Sequence, residues 1–101
     1  MQLKSLKNKV YFIAEIGSNH EGNFSDAKKI LKDCLKSKAD CAKIQIYTAD
    51  NIVSKKFSAE RFKHFSKLKL EIDQYLELAY IANKSEKDFS ASIWDVKLIS
   101  L

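Results

Sequence analysis

Two short apolar runs, Val10-Tyr11-Phe12-Ile13-Ala14 and Cys41 to Tyr47, flank a segment whose apolar residues keep a helical period. In that segment Ala27, Ile30, Leu31, Cys34, Leu35 and Ala39 recur at steps of three or four, as one face of an amphipathic helix requires. Strands joined through a helix of this length pair in parallel by a crossover. A second stripe, Ile72, Tyr75, Leu76, Ala79 and Ala82, leads to a third run from Asp88 to Ile93. Asp95 to Leu101 then reads as the start of a further helix. The order is β-α-β-α-β, an α/β fold with parallel strands, and apolar runs of this kind are expected to be buried on both faces.

Local signals sharpen the boundaries. Asn23 is placed to cap the first helix, with Asp26 three residues on as the return partner of a capping box. Gly17 and Gly22 read as turn residues that permit positive φ. Thr48 to Phe57 reads as a long polar loop, and Ser58 as the cap of a helical segment running towards Lys67. The chain has no proline, and no glycine follows Gly22, so its later turns carry little punctuation.

Composition narrows the class. With 101 residues, 46% hydrophobic and 31% charged, the chain is neither disordered nor membrane-spanning, and one domain over residues 1–101 is expected. No stretch approaches the roughly 20 apolar residues of a membrane helix. Met1 to Lys7 lacks the apolar centre of a signal peptide, which points to a cytoplasmic protein. Cys34 and Cys41 have no metal-like spacing and fall within apolar patterns, as two reduced core thiols would. The net charge of +5 is almost wholly lysine, with Arg61 the sole arginine. Lysines spread along helices form a solvated face; without aromatic clustering they do not favour a nucleic-acid partner, and no membrane partner is expected.

The chemistry concentrates at the downstream strand ends. Glu15 ends the first run, and a carboxylate in a buried strand costs several kcal/mol, roughly, unless it has a partner or a task. In the second run the two-residue strand period puts Lys43 and Gln45 on one face. An acid and a lysine at the ends of successive strands look like parts of one site. Three strands cannot close a barrel that normally takes about 250 residues, so the pattern reads as a segment of a larger fold.

Four blocks carry a family resemblance: Phe12-Ile13-Ala14-Glu15-Ile16-Gly17-Ser18-Asn19-His20-Glu21-Gly22, Ala42-Lys43-Ile44-Gln45, Asn51-Ile52-Val53-Ser54 and Phe89-Ser90-Ala91-Ser92-Ile93-Trp94-Asp95. In order and spacing they resemble the N-terminal part of the sialic acid synthase family. The resemblance implies a partial (β/α)8 TIM barrel. The implied activity is condensation of phosphoenolpyruvate with an N-acetylated amino sugar, such as N-acetylmannosamine, to a nonulosonic acid with release of phosphate. It also implies a divalent metal, manganese or magnesium, in the complete enzyme, with ligands in later strands that this chain does not contain. A C-terminal antifreeze-like domain, also common in the family, is likewise not contained in it. The chain alone is then expected to be inactive and to self-associate or pair with a complementing chain. A non-catalytic remnant, one part of a split enzyme and a basic nucleic-acid module are the rival readings.

The resemblance also assigns roles. Glu15 matches the family's acid at the end of strand one, where a carboxylate can steer water or stabilise positive charge. Lys43 matches the strand-two lysine that binds phosphoenolpyruvate, with Gln45 beside it. Ser92 aligns with a small hydroxyl residue after strand three, and Ser90 competes for that role. Here the family more often has Ser-Thr-Pro-Phe-Asp, and this chain keeps a hydroxyl but lacks the proline. Asn19 and His20 match an Asn-His pair that serves loop structure or sugar contact; Asn19 is the candidate sugar contact, and neither is assigned to a metal. Asp50 and Asn51 belong to the loop where the family contacts its sugar, and Trp94 reads as a packing residue.

Overall fold

The computed structural model describes residues 9–99. Met1 to Lys7, where a leader was argued against, and the last two residues of the expected final helix lie outside them. The described elements run β1 (Ile13–Gly17), α1 (Phe24–Lys36), β2 (Cys41–Ile46), α2 (Ala49–Ile52), α3 (Ala59–Leu68), α4 (Ile72–Asn83), β3 (Asp88–Ile93) and a single 3-10 turn, Val96–Leu98. The three strands form one parallel sheet in the order β1-β2-β3. The parallel β-α-β-α-β order is the one the alternation of periods predicts, and it forms the partial (β/α)8 barrel that the resemblance implies.

Each helix starts and stops on local chemistry. Asn23 Oδ1 accepts from the Asp26 N–H at 3.0 Å, while the Asn23 N–H donates to the His20 carbonyl rather than closing the expected reciprocal box. Asp26 and Lys36 complement the dipole at the two ends of α1. Ser37 ends it, with both its N–H and its hydroxyl donating to the Cys34 carbonyl. At the start of α4, Gln74 Oε1 reaches back to the Glu71 N–H at 2.9 Å. Ser58 precedes α3 but gives it no side-chain cap.

The core lies on one face of the sheet. Ile16, Ala42 and Ile44 point from the strands towards Ala27 and Leu31 of α1 and Leu78 and Ala82 of α4. Leu31 is fully excluded from solvent. A fully buried side chain of this size contributes about 1.5–3 kcal/mol, which holds α1 and α4 against the sheet. Tyr75 joins this core, and its hydroxyl oxygen accepts from the buried Leu70 N–H at 3.1 Å. Burial pushes the Tyr75 phenol above its ordinary range.

Four expectations need correction. The first apolar run is not buried on both faces: Phe12 is 61% and Ile13 54% exposed, because β1 is an edge strand covered by helices on one side only. Its paired residues also start three positions later than Val10 and continue through Glu15 to Gly17. The stretch from Thr48 to Phe57 is not all loop. Asn51 Oδ1 accepts from both the N–H and the hydroxyl of Thr48 and nucleates α2. On α4 the buried stripe is Tyr75, Leu78 and Ala82, whereas Ile72 and Leu76 stay exposed beside an apolar hollow of about 400 Å³ against β3.

Candidate functional site

The other face of the sheet is polar. Register alone sets its composition, since Glu15 lies opposite Lys43, Lys43 opposite Ser90, and Gln45 opposite Ser92. Side chains of paired residues in a sheet project to the same side. Glu15, Lys43 and Ser90 therefore form one rung across three strands, and Gln45 and Ser92 the next rung across two. The apolar hollow against α4, which Ser90 also borders, is lined mainly by residues of the helix-covered side.

Lys43 Nζ lies 3.7 Å from Glu15 Oε2. The second carboxylate oxygen, Oε1, accepts from the Gly17 N–H at 3.1 Å. That second bond depends on an irregularity in the ladder: pairing slips between Glu15 and Gly17, and Gly17 turns to φ +55°. Such slips re-aim side chains at strand ends. The Lys43 side chain is 33% and the Glu15 side chain 45% exposed, so this ion pair stabilises the fold by only about 0–1 kcal/mol. Its geometry is loose enough for Lys43 to turn to another anion.

The loop above this rim is stapled down. His20 is 3% exposed, and its Nδ1 accepts from the Gly22 N–H at 3.0 Å. Burial lowers the His20 pKa, which favours the neutral ring with its proton on Nε2. Gly22 sits at φ +80° so close to α3 that an added Cβ would lie 2.0 Å from the Lys67 carbonyl oxygen. The buried Tyr47 brings its hydroxyl to within 3.4 Å of Ser18 Oγ, and Phe65 of α3 meets its ring edge-on. Tyr47 escaped the sequence reading; only its place two residues beyond Gln45 could have flagged it.

The expected residues divide cleanly. Glu15, Lys43, Gln45 and Ser92 share the polar face, and Ser90 joins them one rung upstream. Asn19 is exposed on the loop, with its N–H donating to the Ile16 carbonyl, and is not drawn into the Glu15–Lys43 pair. His20 is a structural residue of the loop. Asn51 is committed to the start of α2, while Asp50 is exposed. Trp94 is 53% exposed rather than packed. At the upstream end of the same face, Tyr11 donates to Asp88 beside Cys41, a clasp from the segment before β1 to β3 that holds the Tyr11 phenol un-ionised far above its usual range. Cys34 and Cys41 are free thiols, both pushed up by burial.

Among the described residues no three His, Cys, Asp or Glu side chains converge into a ligand set. Glu15, the acid of the downstream rim, is already engaged by Lys43 and Gly17. The groups present do not fit a metal ion. No helix among the described residues is long and apolar enough to cross a membrane.

Residues 30–101 match the model of the NeuB family, well over half of the chain. The chain belongs to the NeuB family. This agrees with the sialic acid synthase resemblance carried by the four sequence blocks. Among curated relatives, an uncharacterised protein of Methanocaldococcus jannaschii is 32% identical over 91 residues, covering 90% of this chain and 26% of its own length. The N-acetylneuraminate-9-phosphate synthase of Drosophila melanogaster is 31% identical, over 89% of this chain and 27% of that protein. In three dimensions the NeuB chain superposes on the N-acetylneuraminic acid (sialic acid) synthetase of Leptospira borgpetersenii, solved in complex with citrate. The TM-score is 0.84 at 23% identity, covering 99% of this chain and 36% of that one. At that identity the likeness establishes the fold. The chain spans about a quarter of the length of these curated relatives.

Proposed function

We propose that this chain carries the phosphoenolpyruvate-binding rim of a sialic-acid-synthase-type enzyme, which condenses phosphoenolpyruvate with an N-acetylated amino sugar. The observation that supports this most is the convergence of Glu15 and Lys43 on one rung of a parallel sheet, with Gln45 and Ser92 on the next. In the reaction, carbon 3 of phosphoenolpyruvate attacks the sugar aldehyde carbon and the aldehyde oxygen takes up a proton. Water adds to the cationic carbon 2, and breaking its bond to the phosphate oxygen releases phosphate and leaves a ketone. Lys43 supplies a point charge for the phosphate or carboxylate, and Gln45 and Ser92 supply hydrogen bonds that orient it. Glu15 lies beside that charge and can accept a proton from the attacking water. Asn19, on the loop over the rim, is the candidate contact to the sugar.

The relatives are three to four times longer than this chain, so groups beyond these residues belong to the full reaction on this reading. Turnover by these 101 residues alone is not expected, and the partner they need is a chain or copy that supplies further strands. Two free thiols suit a reducing, cytoplasmic setting. Titration of the 15N-labelled chain with phosphoenolpyruvate tests the binding role. Amide shifts should gather at Lys43, Gln45 and Ser92 and vanish in Lys43→Gln. Shifts confined to the lysines of α1, or unaffected by Lys43→Gln, would refute the reading.

A further inference from the structure

Glu15 is held independently of Lys43. Its Oε1 is fixed by the Gly17 N–H at 3.1 Å, a bond within the β1 turn, whereas Oε2 meets Lys43 Nζ at only 3.7 Å. The carboxylate therefore stays in place if the ammonium leaves, and the ammonium sits on a flexible four-carbon stem that lets it leave. Both groups are partly solvated, which keeps the cost of separating them low. A dianionic phosphate entering beside Lys43 meets a carboxylate already occupying the charge it needs, and is repelled by it.

We infer that Glu15 is the resident counter-ion of Lys43 and competes with the phosphate group of the ligand for it. Arrival of the anion exchanges partners: Lys43 turns from Glu15 to the phosphate, and Glu15, still anchored by Gly17, is left as an unpaired carboxylate. One group thus weakens ground-state binding of the anion and is freed by that same binding to act on water. This rests on the proposed role of Lys43 and adds that its neighbour opposes the ligand rather than helping to hold it.

The test is calorimetric titration of wild type, Glu15→Gln and Lys43→Gln with inorganic phosphate and, separately, with phosphoenolpyruvate, at low ionic strength. Glu15→Gln preserves an oxygen for the Gly17 N–H, so the turn survives, and a 15N spectrum verifies it. Phosphate should bind Glu15→Gln about three- to tenfold more tightly than wild type, the range set by losing an exposed ion pair and a like-charge repulsion. Lys43→Gln should abolish the gain when combined with Glu15→Gln. Equal or weaker binding by Glu15→Gln overturns the competition while leaving a Lys43-dependent phosphoenolpyruvate site intact. Tighter phosphate binding by Glu15→Gln, with phosphoenolpyruvate bound no better than phosphate, upholds the competition and removes support from the synthase reading. No binding by any variant overturns both.

Discussion

The two faces of one three-stranded sheet are built on opposite terms. On the helix-covered face Ala42 and Ile44 alternate into a core with Leu31 and Leu78 and are withdrawn from water, with the side chains of β3 half-buried beside them. On the other face Lys43 and Gln45, the residues between them, remain half-exposed beside Glu15, Ser90 and Ser92. The first face carries the stability, because burial there is additive and needs no partner geometry. The second contributes little to stability, and its groups are correspondingly available for chemistry. The difference shows why a parallel strand that looks uniformly apolar from a distance can still present a reactive edge.

The contrast can be broken most severely from the helix side. Leu78→Ala should cost about 2–5 kcal/mol in urea unfolding, the range for deleting a fully buried leucine. Gln45→Ala on the polar face should stay within about 0.5 kcal/mol. Similar values for both would erase the division of labour.

The rim loop joins the two regimes, since His20 is buried while Asn19 and Glu21 beside it stay exposed. Gly22→Ala combines a left-handed φ with a backbone clash against Lys67, and should destabilise by about 2–3 kcal/mol. Retention of wild-type stability would mean that the loop is free of α3.

A smaller effect comes from His20 in the same loop. Burial lowers its folded pKa below the ordinary 6.5. The unfolded chain therefore binds the proton more readily, and the stability from neutral His20 is full above pH 6.5 and declines as pH falls through and below that value. His20→Gln should flatten this part of the stability-versus-pH curve in thermal melts between pH 7 and pH 5. An unchanged slope would assign it to other groups.

Lys43→Gln should also be mild to the fold, within about 1 kcal/mol, yet it should remove the phosphoenolpyruvate-induced amide shifts. A large loss of stability would make the Glu15–Lys43 pair structural.

Much of this was legible beforehand. The run from Asp88 to Ile93 coincides with β3, and the stripe from Ile72 to Ala82 lies within α4, because periodic burial against a single sheet face leaves its spacing in the sequence. Pairing of Glu15 with Lys43 followed from two apolar runs joined by a helix. What failed was knowledge of cover. Nothing in Val10 to Ala14 distinguishes an edge strand from a central one, and Leu78 fell off the expected stripe because residues 72 and 76 satisfy the same period. Asn51 read as a loop residue because its bond to Thr48 is a choice between local conformations of similar energy.

By itself the sequence determined the alternation of strand and helix, the parallel sense of the sheet, and which residues share a face, since all three follow from fixed periods and short connections. Only the tertiary structure decided that His20 and Tyr47 are buried, that Gly22 rests on α3, and that one oxygen of Glu15 is anchored while the other faces Lys43. Those outcomes depend on which distant segments come to lie within a few ångströms, and contact of that kind leaves no period along the chain.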